Sequence, residues 1–289
     1  PIASYRSQRR GGRGIQGTGT KEEDVVQHLL TVSNHDWLLF FTNQGRLYRV
    51  KGYKVPEAGR QAKGIPLVNL IALDNDEQVT AVLGVRDFTD GGFLVMATKG
   101  GIVKKTALSD FDSVRRGGLQ AITLEEGDEL IYVRRTDGNR ELLLGTRTGM
   151  AIRFSERDVR AMGRLAKGVR GIRLNAGDEV VSMDVVLTDA SLLILCANGY
   201  GKRTPLSEFR AQSRGGKGLK AIRTSKRNGP VVEMRVVRDD DDLMLITASG
   251  VIIRIAAKDI PEQSRLAQGV TLMRLDKGDK VVAISRVIE

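Results

Sequence analysis

The sequence is poor in the residues that usually staple, coordinate or anchor a small protein. One cysteine, Cys196, stands among 289 residues, so no internal disulfide can form and a reducing, cytoplasmic setting is expected. Its apolar neighbours mark it as a packing residue. The two histidines, His28 and His35, have no cysteine or histidine partners at ligand spacing, which argues against a metal site. Long apolar runs are missing too: stretches such as Leu192 to Ala197 fall far short of the roughly 20 residues that cross a bilayer. The chain opens Pro1-Ile2-Ala3-Ser4-Tyr5 with no apolar segment behind it, so no secretory signal is read. Neither a Walker phosphate loop nor an acid–base constellation is visible, so no catalytic residue and no cofactor are assigned to the chain.

Basic charge is plentiful. Lys and Arg number 46 against 35 Asp and Glu, a net charge of +11 that favours a polyanionic partner, with nucleic acid ahead of an anionic membrane. At 41% hydrophobic and 28% charged, the composition supports a folded core rather than disorder.

The chain repeats itself about every fifty residues. A turn glycine is followed four residues later by a base in five copies: Gly45 and Arg49, Gly101 and Lys105, Gly149 and Arg153, Gly199 and Arg203, Gly250 and Arg254. Ten residues beyond each glycine sits an apolar residue (Val55, Phe111, Val159, Phe209, Ile260), and fifteen beyond sits an arginine (Arg60, Arg116, Arg164, Arg214, Arg265). A sixth arginine, Arg10, has Tyr5 at the matching place, which predicts that the first repeat is incomplete in this chain. Short apolar runs before each glycine (Leu38–Phe41, Phe93–Ala97, Leu142–Leu144, Leu192–Cys196, Leu243–Ile246) read as buried strands turning into hairpins. A second strand follows each arginine, entered by an acidic turn such as Gly127-Asp128-Glu129 or Gly177-Asp178-Glu179. The fifth copy, Asn228-Gly229-Pro230, is degenerate. Units this small bury their sheets only by stacking, and closure into a ring removes the exposed end sheets. One all-β domain over residues 1–289 with six blades, the first of them incomplete, is therefore predicted.

The arginine loops are the candidate site. The fullest reads Gln8-Arg9-Arg10-Gly11-Gly12-Arg13-Gly14, and its nearest copy is Gln212-Ser213-Arg214-Gly215-Gly216-Lys217-Gly218. Glycines let backbone approach a phosphate, and guanidinium groups present forked donors to its oxygens. The same reasoning extends to Arg60 and Lys63, Arg115 and Arg116, Arg164 and Lys167, Arg214 and Lys217, and Arg265. It extends also to the hairpin bases Arg46, Arg49, Lys104, Lys105, Arg153, Lys202, Arg203 and Arg254. Such contacts position a protein on duplex DNA without reading bases. The paired carboxylates Asp128–Glu129 and Asp178–Glu179 recur before strands and read as turn chemistry, and Trp37 reads as core or blade edge.

The box Gln8 to Gly14, with the six-copy pattern from Tyr5 to Glu289, resembles the C-terminal domain of the DNA gyrase A subunit, of the type IIA topoisomerase family. The resemblance implies a six-bladed β-pinwheel whose hairpins are exchanged between neighbours and whose rim wraps DNA without sequence preference, giving the parent enzyme ATP-dependent negative supercoiling. It further implies that ATP, magnesium and the catalytic tyrosine belong elsewhere in that enzyme. The partners implied are the rest of the gyrase A subunit and the gyrase B subunit in an A2B2 heterotetramer, with no membrane and an isolated domain that is monomeric. Alternatives are the corresponding domain of topoisomerase IV, whose box is degraded or absent, and a protein-interaction propeller, whose Trp-Asp and Gly-His signatures are missing here.

Overall fold

The computed structural model describes residues 8, 10–16, 30, 32–57, 64–113 and 117–287. Its regular elements are strands and short 3-10 turns, and among the described residues no helix is long and apolar enough to cross a membrane. The first strand, β1 (Ile15–Gln16), pairs with one near the other end of the chain. Blade one holds β2 (Trp37–Thr42), β3 (Arg46–Lys51) and β4 (Val79–Val85). Blade two follows with β5 (Phe93–Thr98) and β6 (Ile102–Ala107), then β7 (Leu119–Gln120), which crosses to blade one, and β8 (Leu130–Thr136). Blade three has β9 (Glu141–Thr146) and β10 (Met150–Ser155), then β11 (Val169–Arg170), which crosses to blade two, and β12 (Val180–Val185). Blade four has β13 (Ser191–Cys196), β14 (Tyr200–Pro205), β15 (Leu219–Lys220), which crosses to blade three, and β16 (Val231–Val237). Blade five has β17 (Asp242–Thr247), β18 (Val251–Ala256), β19 (Val270–Thr271), which crosses to blade four, and β20 (Val281–Val287).

Each sheet runs from a long inner strand through a hairpin to a two-residue outer strand, in the order β4-β2-β3-β7 for blade one. The exchange between neighbours is thus made by the outer strand, which every blade takes from the repeat after it. Blade five takes β1, with Ile15 opposite Ile252 and Gln16 opposite Val251, so the start of the chain closes onto the last hairpin.

The hairpin strands are apolar on both faces because both faces are covered. Successive side chains point to opposite sides: Leu94 and Met96 enter the core shared with blade one, whereas Val95 and Ala97 enter the core shared with blade three. Leu192 and Ile194 face blade three in the same way, and Leu193 and Leu195 face blade five. The hairpin turn needs glycine for two reasons. Gly199 has φ +81°, and a Cβ there would lie 2.3 Å from the carbonyl oxygen of Met273. The inner strands line a central cavity of about 710 Å3, where Arg134, Asp184, Glu233 and Arg235 form a charged belt.

Five four-stranded blades are found among the described residues, not the six expected. A blade needs a hairpin of its own, and the described residues before 33 contribute only β1, which joins blade five.

Candidate nucleic-acid interface

The box occupies the last place on the rim although it is first in sequence. Its backbone is held as the other loops are, by contacts one blade further round. The Gln8 amide donates to the Arg254 carbonyl at 2.7 Å, as Gln212 does to Arg153 and Gln263 to Arg203, both at 2.8 Å. The Gly11 amide donates to Leu272 at 2.6 Å, and the equivalent Gly215 donates to Gly171 at 2.7 Å. The Gly12 carbonyl accepts from Arg274 at 3.0 Å, and that of Gly216 from Arg173 at 2.8 Å. Gly14 closes the loop with φ +78° against blade five, where a Cβ would sit 2.8 Å from the Ile252 oxygen. The rim loops therefore form one series: two loops of blades three and four, the loop carrying Arg265, then the box.

Within that series the cations fall into two groups. Arg10, Arg13 and Lys217 are exposed, and no carboxylate among the described residues pairs with them. Lys167 is also exposed, with only a 3.9 Å pairing to the equally open Glu125, a contact of little energetic weight. The half-buried arginines hold the loops in place. Arg214 donates to the Asp158 carbonyl at 2.8 Å and the Arg170 carbonyl at 3.1 Å. Arg265 donates to the Lys220 carbonyl at 3.2 Å and lies 3.9 Å from Glu208. Arg164 is half-buried and offers its carbonyl to a lysine beneath. Arg9, Arg60, Lys63, Arg115 and Arg116 lie outside the described residues.

The hairpin bases correct the sequence reading, because they are turned into the ring. In blades one to four the base four residues after the hairpin glycine latches one blade to the next. Arg49 donates to the Asp112 carbonyl and stacks 4.2 Å from the Trp37 ring centre, which places Trp37 at a blade edge. Lys105 donates to the Glu156 carbonyl at 2.8 Å; Arg153 donates to Leu206 at 3.1 Å and to Phe209 at 3.3 Å. Arg203 donates to the Ile260 carbonyl at 2.8 Å and pairs with Asp239. Arg254 pairs with Asp242, at 2.9 Å from its Nε. Lys104 and Lys202 are fully buried under the next blade's arginine loop. The Lys104 ammonium donates to Ala121 at 2.5 Å and Arg164 at 2.6 Å, and that of Lys202 to Ser264 and to Arg265 at 2.8 Å. Burial pulls both ammonium groups down to about 8, against the opposing pull of Asp110 on Lys104 and of Glu208 on Lys202. Arg46 pairs with Asp74 at 2.6 Å. Sequence alone missed this because a base at a strand end looks the same whether it faces water or a neighbour's carbonyl.

The sequence reading also passed over a set of exposed bases. Arg173, Arg223 and Arg274 each stand twenty-four residues after a hairpin glycine, exposed and beside the loops, and Arg170 ends an outer strand. The constant offset was the available signal. The recurrent acids, by contrast, are turn residues as read: Asp178 accepts from the Thr148 amide at 3.0 Å and Asp128 from that of Gly100 at 2.7 Å. Cys196 is buried, and burial pushes its thiol up to about 12.

The fold is that of a β-propeller-like ring with a cationic edge. The family model for the DNA gyrase C-terminal domain, a β-propeller, matches residues 1–33, 36–86, 92–137, 140–187, 190–238 and 241–288, and the chain belongs to that family. Six matched segments and five described blades agree once the first segment is seen to supply an outer strand. The chain is 61% identical over 287 residues, 99% of its length, to the DNA gyrase A subunit of Halalkalibacterium halodurans. It is 49% identical over 292 residues to that of Staphylococcus aureus. It spans about a third of those relatives, 34% and 33% respectively. A solved DNA gyrase A C-terminal domain superposes with a TM-score of 0.88 at 28% identity, covering 99% of this chain and 94% of that one. The C-terminal domain of a DNA topoisomerase IV gives 0.80 at 30% identity, covering 88% and 80%.

Proposed function

We propose that this ring binds duplex DNA along its rim and bends it without reading sequence, and that in its parent gyrase the wrapped path sets the direction of ATP-dependent supercoiling. The observation that carries the reading is the continuity of the loop series: the box and the loops of blades three to five are hung by equivalent backbone bonds. Exposed Arg10, Arg13, Lys167, Lys217, Arg173, Arg223 and Arg274 stand along that series. A curved row of cations fits phosphate oxygens on a bent duplex. Smooth bending of a 20–30 base-pair site by tens of degrees costs on the order of 1–6 kcal/mol, so several contacts in series are needed to offset it. Partners in this reading are duplex DNA, the remainder of the gyrase A subunit, and the gyrase B subunit; residence is cytoplasmic.

The test replaces Arg9, Arg10 and Arg13 with alanine. Nicked plasmid is then closed by ligase in the presence of the chain, and its linking number is read. The unaltered chain is expected to shift the topoisomer distribution and the triple variant to shift it much less, at unchanged melting temperature. Equal shifts from both proteins would remove the box from the wrapping path.

A further inference from the structure

Connections between the outer and inner strands lie against the hairpin turns, and most of them are acidic. Asp128, Asp178 and Asp279 each accept a hydrogen bond from the hairpin turn of their own blade, at Gly100, Thr148 and Ser249. Glu125, Glu126 and Asp276 stand exposed beside them. At the position equivalent to Asp178, blade four has Asn228. This amide is fully buried and satisfies its own turn: it accepts from the Ser225 amide at 2.7 Å and donates to the Arg223 and Gln268 carbonyls, each at 3.0 Å. The hairpin turn still donates, now from a side chain and to backbone carbonyls instead of a carboxylate. Asn198 of the hairpin turn donates to the carbonyls of Lys226 at 3.1 Å and Arg227 at 3.0 Å.

Two amides thus do what a carboxylate does elsewhere, and the charge of the turn changes sign. Lys226 and Arg227 are exposed, with Arg227 set 4.9 Å from the Tyr200 ring centre. Lys280 reaches across from blade five to the Asn198 side-chain oxygen at 2.6 Å. Arg223, exposed in the same turn, belongs also to the rim row. Among the described residues no carboxylate pairs with Arg223, Lys226, Arg227 or Lys280. Four unpaired cations within one turn and its neighbour act jointly on a phosphate chain, since screening at 0.1 M salt takes about 10 Å to set in. Their continuity with the rim at Arg223, and the contribution of Lys280 from the next blade, single out a polyanion already held on the rim as the ligand.

We propose that this basic notch in blade four is a second duplex-DNA site, through which DNA carried on the rim leaves it and crosses the face of the ring. The proposal rests on the rim reading above. On the blade-three side the acidic turn at Asp178 and Glu179 repels the duplex, whereas on the blade-five side Asp276 and Asp279 are balanced by Lys277 and Lys280.

The test is Lys226→Glu with Arg227→Glu, which gives the turn the charge of Glu125-Glu126, in the full chain, beside Arg10→Ala with Arg13→Ala as the rim variant. Affinity is measured against salt on a long duplex and on one too short to leave the rim, and hydroxyl-radical protection is mapped on the long one. Retained melting temperature confirms that the exposed substitutions leave the fold intact. The notch variant is expected to lower the slope of log K against log salt by about 2 on the long duplex, at about 0.9 for each phosphate no longer neutralised. It should shorten protection at one end and bind the short duplex unchanged. The rim variant should weaken both. An unchanged slope and footprint for the notch variant, with the rim variant weakened, overturns the notch. Failure of the unaltered chain to bind either duplex at low salt instead overturns the rim reading on which it stands.

Discussion

Gly199 illustrates how little freedom a single position has in this ring. Its φ of +81° penalises any L side chain by about 1–2 kcal/mol, and the Met273 oxygen occupies the space a Cβ would take. Gly199→Ala is therefore expected to cost at least about 2 kcal/mol, the sum of strain and displaced neighbour, measured as a lowered urea midpoint. Gly177, with φ +74° but nothing near a Cβ, should cost less under the same substitution. The buried lysines make a second residue-scale prediction. Lys104 titrates near 8 in the folded chain and near its ordinary value, well above that, once unfolded. Between those values the unfolded chain holds more protons, so this group adds stability as pH rises from about 8 towards 10.5. Below 8 the charged form is fully present in both states, and its burial is a standing cost. Urea denaturation at pH 7.5 and pH 10 should show the unaltered chain gaining stability relative to Lys104→Met at the higher pH; the absence of that gain would contradict the burial of a charged ammonium.

Elements in this fold are joined less by their own hydrogen bonds than by what crosses from one blade to the next. Arg153 binds Glu141 of its own blade and two carbonyls of the following one. Arg153→Ala leaves those acceptors short of a charged donor, and a loss of about 2–3 kcal/mol is expected from an unmatched, partly buried set. Hydrogen exchange should locate that loss at Leu206–Glu208 and in β10 rather than across the whole ring. Much of this level was legible beforehand. The hairpins fell where glycine followed a short apolar run, and the acidic turns were read as turns. The role of the hairpin bases was not legible, because strand-end lysine and arginine carry no mark of which way they point. Lys104 and Lys105 are adjacent in sequence and both buried, one under a loop and the other against a 3-10 turn.

At the scale of the whole molecule, the start of the chain meets its last hairpin where β1 pairs with β18. Gly14 precedes that contact, and a Cβ there would strike Val251 at 2.7 Å and the Ile252 oxygen at 2.8 Å. Gly14→Ala is expected to lower the melting temperature and, by displacing the box, to weaken DNA binding in the same variant. Arg13→Ala should weaken binding alone. Equal stability of the two variants would show that the β1–β18 pairing adds nothing to the stability of the fold. Association with duplex DNA should also fall steeply with salt and differ little between sequences, as counterion release requires; salt-insensitive affinity would exclude a phosphate track.

The sequence by itself determined the repeat, the strands, the turns and the excess of positive charge, because these follow from local chemistry: glycine where φ is positive, apolar side chains on both faces of a covered strand, acids that accept turn amides. Spatial adjacency was decided only by the tertiary structure. Which blade owns an outer strand, how many blades stand complete, and whether a base meets a neighbour's carbonyl or open solvent all depend on contacts between residues about fifty or more apart, or at opposite ends of the chain. No local pattern encodes those meetings; packing of one repeat against the next creates them.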